Sequence, residues 1–179
     1  MNMEGYGPVS SGMGGASLAY DNGTAAMMNN PATLALMPAG DRRLDLAVGF
    51  LGPDVSASVM TPGGPVKASS LADAYFMPAF GFVTKGDRIT YGLGVFAQGG
   101  MGTEFAGTTW LADPSQGTNT SLTAGLVNQS EVSVGRLLVP LAYDVNEKLS
   151  IGLTADLVWA GLDLQMAMSQ AQFVDLATT

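Results

Sequence analysis

From residue 43 onward the chain alternates. Leu44, Leu46, Val48 and Phe50 are separated by Arg43, Asp45, Ala47 and Gly49, a period of two that predicts a strand with one apolar face. The pattern returns over 75–83, where Phe76, Phe80 and Phe82 share a side with Pro78, a residue suited to an edge or an irregularity. Over 89–98, Ile89, Tyr91, Leu93 and Val95 oppose Thr90, Gly92, Gly94, Phe96 and Gln98. Two more runs follow. Leu137, Val139, Leu141 and Tyr143 alternate; then Leu149, Ile151, Leu153, Ala155, Leu157 and Trp159 oppose Ser150, Gly152, Thr154 and Asp156. About five strands are therefore expected. Turns at 85–88 and 144–148 join two pairs as hairpins, whereas 51–73 (Pro, Gly, Ser) and 105–130 (Thr, Gly, Ser, Asn) are expected as long loops.

Before residue 42 no period holds. Residues 22–40 carry no charge and match the length of a membrane helix. Pro31 and Pro38 forbid that helix, because proline removes a backbone donor and costs about 3 kcal/mol in a helix interior. Short helical turns over 24–29 and 31–37 are expected instead, with Pro31 at a favourable first position. Asn29 and Asn30 can each donate and accept, and so can cap backbone groups that water does not reach.

Composition sharpens the choice of class. The chain is 47% hydrophobic but only 12% charged, about half the charged fraction usual for a soluble domain. Both a soluble antiparallel sandwich and an outer-membrane barrel alternate apolar and polar positions. Low charge, the long run over 149–166, and inner faces of Ser, Gly and Thr favour the barrel, as does the alternation of short turns with long loops. Tyr75, Tyr91, Tyr143 and Trp159 suit interfacial girdles.

Several function classes are disfavoured. The net charge of −8 opposes nucleic-acid binding. Without Cys or His there is no thiolate, no His general base and no Cys/His metal site, so neither a metal nor a cofactor is expected. Lys67, Lys85 and Lys148 all fall in predicted loops, which leaves no buried lysine for a Ser–Lys device. "GMGGAS" at 12–17 lacks the lysine of a phosphate loop and follows no strand. An enzyme is not expected.

Four stretches together resemble one family. They are "SSGMGGASLAYDNGTAAMMNNPATLALM", "FLGPDVSASVMTPGGPVKASS", "YGLGVFAQGGMGTEF" and "VGRLLVPLAYDVNEKLSIGLTADLVWAGLDL". The chain resembles the N-terminal part of the long-chain fatty acid transporter family of Gram-negative outer membranes, which includes channels for aromatic hydrocarbons. The resemblance implies an all-β fold: a transmembrane antiparallel barrel of fourteen strands, with residues 1–41 as an N-terminal hatch and 42–179 as an incomplete barrel. Five strands cannot close around a plug, so a fragment of a longer protein or a truncated reading frame is expected.

Site residues follow from the same resemblance. Asn30, Pro31 and Ala32 match the hatch signature, which in the family contacts an inward kink of the third strand. Here that kink would fall at Gly99, Gly100 and Gly102, and a hydrophobic ligand would leave sideways through it into the bilayer. Lateral exit spares an apolar tail its exposure to water, about 0.8 kcal/mol per CH₂. Phe96, Met101 and Phe105 are candidate ligand contacts, with packing against plug or lipid as the alternative. Met13, Met27, Met28 and Met37 could form an adaptable wall or simply core. Arg136 could hold a ligand carboxylate or pair with Asp156, and the pair is favoured. Implied partners are a fatty acid or aromatic hydrocarbon, outer-membrane lipids and the barrel assembly machinery. The competing reading is an exported, β-rich adhesive or structural surface protein without transport.

Overall fold

The computed structural model describes residues 5–111, 126–166, 174–175 and 177–178. Among the described residues seven strands form: β1 (Arg42–Leu51), β2 (Ser56–Thr61), β3 (Gly64–Ser69), β4 (Tyr75–Lys85), β5 (Ile89–Phe105), β6 (Asn128–Asn146) and β7 (Leu149–Gln165). Five make one sheet in the order β1-β4-β5-β6-β7, and β2 pairs with β3 alone. Before them lie α1 (Pro8–Gly12), a 3₁₀ turn (Gly23–Ala25), α2 (Ala26–Asn29) and a second 3₁₀ stretch (Pro31–Leu36). No helix among the described residues is long and apolar enough to cross a membrane.

The expected strands form, and two are longer than their alternation suggested. β5 runs on through its glycines to Phe105, and β6 begins at Asn128, inside the expected loop 105–130. Residues 112–125 of that loop lie outside the described residues. The turn expected at 144–148 narrows to Glu147 and Lys148 because Asn146 Oδ1 accepts from Lys148 N at 2.8 Å. The stretch 51–73 is not only loop. Ala57, Val59, Val66 and Ala68 turn one way in β2 and β3 while Ser56, Ser58, Lys67 and Ser69 turn outward. Pro62, Gly63 and Pro65 hid this period from the sequence reading; Gly64, at φ 113°, makes the turn that a side chain would resist.

The chain divides into two compact units, one of Met1–Gly49, Met77–Gly99 and Val134–Ala160, the other of Phe50–Phe76, Gly100–Ser133 and Gly161–Thr179. In the first, β4 and β5 pair in register from Ala79↔Phe96 to Lys85↔Thr90. One face of the strands is packed. Ala26, Met27, Leu34, Ala35 and Met37 of the N-terminal segment meet Val83, Phe96, Leu138 and Ala142 in a single cluster. Burying a side chain such as Leu34 or Leu138 contributes about 1.5–3 kcal/mol. The other face is bare: Leu44, Leu46 and Val48 are 58%, 73% and 70% exposed, and Ile151, Leu153 and Leu157 are as open. A soluble sheet buries its apolar face; here the apolar face is outside and the small and polar positions are inside, the arrangement of a lipid-facing wall.

In the second unit the β2–β3 hairpin is tied at its base. Leu71 N donates to Glu104 O at 2.7 Å, and Ser70 Oγ accepts from Glu104 N at 3.0 Å and from Ala72 N at 3.2 Å. Phe50 and Phe76 stack with ring centroids 5.4 Å apart.

Leu46→Arg separates a lipid-facing wall from a water-facing one. Near the bilayer midplane the change should destabilise by about 2–4 kcal/mol, against about 0.5 kcal/mol at an ordinary wet surface. Urea unfolding in lipid vesicles measures the difference.

Candidate functional site

The N-terminal segment is held on the inner face by local hydrogen bonds and by strand side chains. Asn29 Oδ1 accepts from Tyr6 N, and its Nδ2 donates to Tyr6 O, both at 2.9 Å. Asn30 caps the second 3₁₀ stretch, accepting from Ala32 N at 3.1 Å, and donates to Leu18 O at 2.9 Å. Thr33 Oγ1 donates to Asn30 O at 2.8 Å. The two asparagines thus tie residues 29–33 back to residues 6 and 18. Pro31 occupies the first turn, where its missing N–H leaves no bond unmade.

Strand side chains complete the grip. On β1, Asp45 Oδ2 accepts from Thr24 N at 2.7 Å, and Arg43 donates to both oxygens of Asp21 at 2.5 and 3.0 Å. Gly23, at φ 74°, fits between them, since a Cβ there would lie 2.7 Å from Asp45 Oδ2. On β7, Thr154 Oγ1 donates to Met27 O at 3.0 Å. At the far end of the segment Lys85, only 7% exposed, donates to the Ala35 carbonyl and to Asp144 Oδ2, the latter at 2.8 Å. Asp144 also accepts from Ser150 Oγ at 2.6 Å. Sequence reading put Lys85 in a loop; it is the last residue of β4 and points into the core. Its ion pair satisfies a charge that burial would otherwise make costly.

A second polar chain crosses the inner face. Arg136 pairs with Asp156 and donates to Gln98 Oε1 at 3.3 Å, and Gln98 Nε2 donates to Tyr6 Oη at 2.7 Å. Arg136 therefore makes the intramolecular pair expected of it.

A cavity of about 710 Å³ lies in the same unit, between residues 6–10 and 21–25 and the strands β1, β4 and β5. Phe96, Met77, Ala79, Ala47 and Val9 give it apolar walls, and Asp21, Arg43 and Asp45 stand along it. Phe96 is buried, 9% exposed, and belongs both to this wall and to the core under the segment. Met27 and Met37 are core, Met28 packs beside them, and Met13 is exposed and accepts from Tyr20 Oη at 3.1 Å.

The expected kink glycines have separate surroundings. A Cβ at Gly99 would meet nothing within 4 Å. In the second unit, a Cβ at Gly102 would lie 2.3 Å from Ser130 O, so Gly102 presses on the β6 backbone, whereas at Gly100 it would make an ordinary contact 3.7 Å from Val132 O. Met101 is half exposed and Phe105 is buried, 7% exposed. The close strand contact of Pro31 and Ala32 is with Gly152 on β7, a position that sequence reading listed only as part of a small inner face. Tyr6, Gly81, Gly94, Thr154 and Asp144 were likewise passed over. For Gly81, Gly94, Gly152 and Thr154 the signal was small or polar character at alternate positions, which marks the inner face but not the partner; Tyr6, in the aperiodic segment, and Asp144, read as turn, carried no such signal. Among the described residues no group of acidic, His or Cys side chains could hold a metal.

A family model described as "Outer membrane protein transport protein (OMPP1/FadL/TodX)" matches residues 3–178. The crystal structure of the P. putida toluene transporter TodX is similar with a TM-score of 0.78 and 30% identity, over 99% of this chain and 41% of that one. The Ralstonia pickettii toluene transporter TbuX gives 0.68 and 39%, over 92% and 40%. A Chlorobium limicola protein, described as an uncharacterized protein in the phosphoenolpyruvate carboxykinase gene 5'region, is 50% identical over 56 residues, 31% of this chain and 28% of its own. The chain thus spans about two fifths of the length of the solved transporters.

The Asp21–Arg43 pair predicts an acid response. The Arg43 hydrogen bond holds the Asp21 carboxyl below its ordinary value, opposed by desolvation and aided by the Gly23 N–H and the Arg43 charge. A depressed carboxylate adds stability above its unfolded value, about 3.9, and that stability is lost as pH falls through the lower folded value. Protease access to residues 5–23 should be unchanged from neutral pH to about 4 and rise below it. Asp21→Asn should remove this acid step and leave access already raised at neutral pH.

Proposed function

We propose, on the premise that this chain belongs to the outer membrane protein transport protein family (OMPP1/FadL/TodX), that it forms the hatch and first strands of a channel for passive uptake of hydrophobic small molecules. Residues 1–41 are the hatch and 42–179 the start of the barrel. Neutral aromatic hydrocarbons are the favoured cargo, and the cavity beside residues 21–25 carries that reading. Its walls are mostly apolar, and its charged residues are two aspartates against one arginine whose two terminal nitrogens already serve Asp21. A fatty-acid carboxylate there would meet the charge of Asp21 and Asp45 with only neutral donors such as Ser10 and Asn22 to take it, whereas a neutral ring disturbs no ion pair. The solved relatives TodX and TbuX are toluene transporters, which supports the same class.

In this reading Asn30, Pro31 and Ala32 keep the hatch compact, and Phe96, with Met101 and Phe105, offers apolar contact to the passing molecule. The ligand leaves sideways near Gly99, Gly100 and Gly102 into outer-membrane lipid. Insertion of the barrel uses the cell's barrel assembly machinery. Nothing in the passage requires an energy source, because the apolar molecule moves down its own gradient into lipid.

The test is uptake of labelled toluene and labelled oleate by cells producing the full-length gene product. Toluene uptake above the empty-vector level, with oleate unchanged, is expected; oleate uptake alone would overturn the cargo, and neither would overturn transport. Asn30→Ala and Pro31→Ala should lower toluene uptake while the product still migrates as a heat-modifiable barrel on gels. Equal uptake by both variants would remove the hatch signature from the mechanism.

A further inference from the structure

Three glycines stand where the N-terminal segment presses on three different strands. A Cβ at Gly81 on β4 would lie 2.3 Å from Thr24 Oγ1 and 2.5 Å from Thr24 Cβ. At Gly94 on β5 it would lie 2.7 Å from Met27 Sδ and 2.6 Å from a ring carbon of Phe96. At Gly152 on β7 it would lie 2.4 Å from Ala32 N and 2.6 Å from the Pro31 carbonyl carbon. No real Cβ tolerates these separations. None of the three glycines has a positive φ, so each is required by close approach and not by backbone conformation.

We infer that Gly81, Gly94 and Gly152 are positioning residues whose sockets seat Thr24, Met27 and Pro31–Ala32, and that this seating makes residues 24–32 a seal against hydrophilic solutes. The inference rests on the reading of residues 1–41 as a hatch. A wall that carried even alanine at these positions would hold the segment off by a methyl group on three sides. At Gly81 and Gly152 the gap would lie beside the hydrogen bonds of Thr24 with Asp45 and of Met27 with Thr154 and would admit water, whereas at Gly94 it would open beside the apolar cluster. The sockets differ in hardness. Gly94 faces side-chain atoms of Met27 and Phe96, which give more readily than backbone. Gly81 faces a short β-branched side chain, and Gly152 faces backbone, which cannot.

Sealing can be read apart from uptake. The full-length product is reconstituted into planar bilayers and its ion conductance measured, beside its toluene uptake in cells. Wild type should be closed. Gly152→Ala should leak most, Gly81→Ala less and Gly94→Ala least, with about a tenfold rise for the harder two, the change that overpacking of this class makes in a seated-to-unseated ratio. Gly12→Ala, with open space around it, should stay closed. Thr24→Gly in the Gly81→Ala background should restore the seal, a rescue that general destabilisation would not give. If Gly152→Ala does not assemble, the Gly81 variant and its rescue decide. Assembled alanine variants as tight as wild type, or a Gly81→Ala leak that Thr24→Gly leaves in place, overturn the sockets. A product that leaks in this order yet carries no toluene keeps the sockets and loses the transport reading.

Discussion

Ala32 lies so near β7 that one methyl group at Gly152 would sit 2.4 Å from its backbone nitrogen. The same closeness recurs at Gly81 and Gly94, and much of the rest follows from it. A segment seated at backbone distance leaves little room for water, so its buried polar groups need partners in the chain, and most have them, the Ser10 hydroxyl and the Asn22 amide excepted. Asn29 and Asn30 supply some from within the segment; Asp45, Thr154 and Lys85 supply others from the wall. The inner face is therefore small where the segment's backbone touches, polar where the segment needs a partner, and apolar at Val83, Phe96, Leu138 and Ala142, where Met27 and Leu34 pack.

That division explains why the structure looks inverted beside a soluble domain. Leu44, Leu46 and Val48 are bare while Lys85 and Thr90 are covered. The chain is an outer-membrane protein of Gram-negative type, and an apolar face turned outward is the pattern of such a wall and not of a soluble sheet. The family's members are transport channels and not enzymes, in keeping with a set of inward charges spent on structure. Arg43, Lys85 and Arg136 each face an aspartate, at Asp21, Asp144 and Asp156. Each pair joins two different elements, and removing one partner would leave the other as an uncompensated charge.

The alternation that marked β1, β4, β5, β6 and β7 was legible because an exposed apolar face and an inner face packed against the N-terminal segment impose opposite demands on successive residues. Pro31 with Asn29 and Asn30 made the short helical turns legible for a local reason, chain stiffness next to capping side chains. The hairpin of β2 and β3 was not legible, because its turn residues and Pro65 interrupt the period over strands of only six residues each. Lys85 was misplaced for a related reason. A lysine beside Gly86 and Asp87 reads as turn, and only the partner carboxylate on β6 shows that it is core.

The sequence by itself determined the class of fold, the division between an irregular first forty residues and a stranded remainder, and the family. These rest on local period and on motifs, which need no knowledge of distant neighbours. Only the tertiary structure decided which glycine receives which residue, that Pro31 and Ala32 meet Gly152, and that Tyr6, Gln98, Arg136 and Asp156 form one chain of bonds. Those pairings join residues up to 127 positions apart, as with Thr154 and Met27. A small residue at an inward position says that something comes close; what comes close is fixed by the register of four strands and the path of the segment between them.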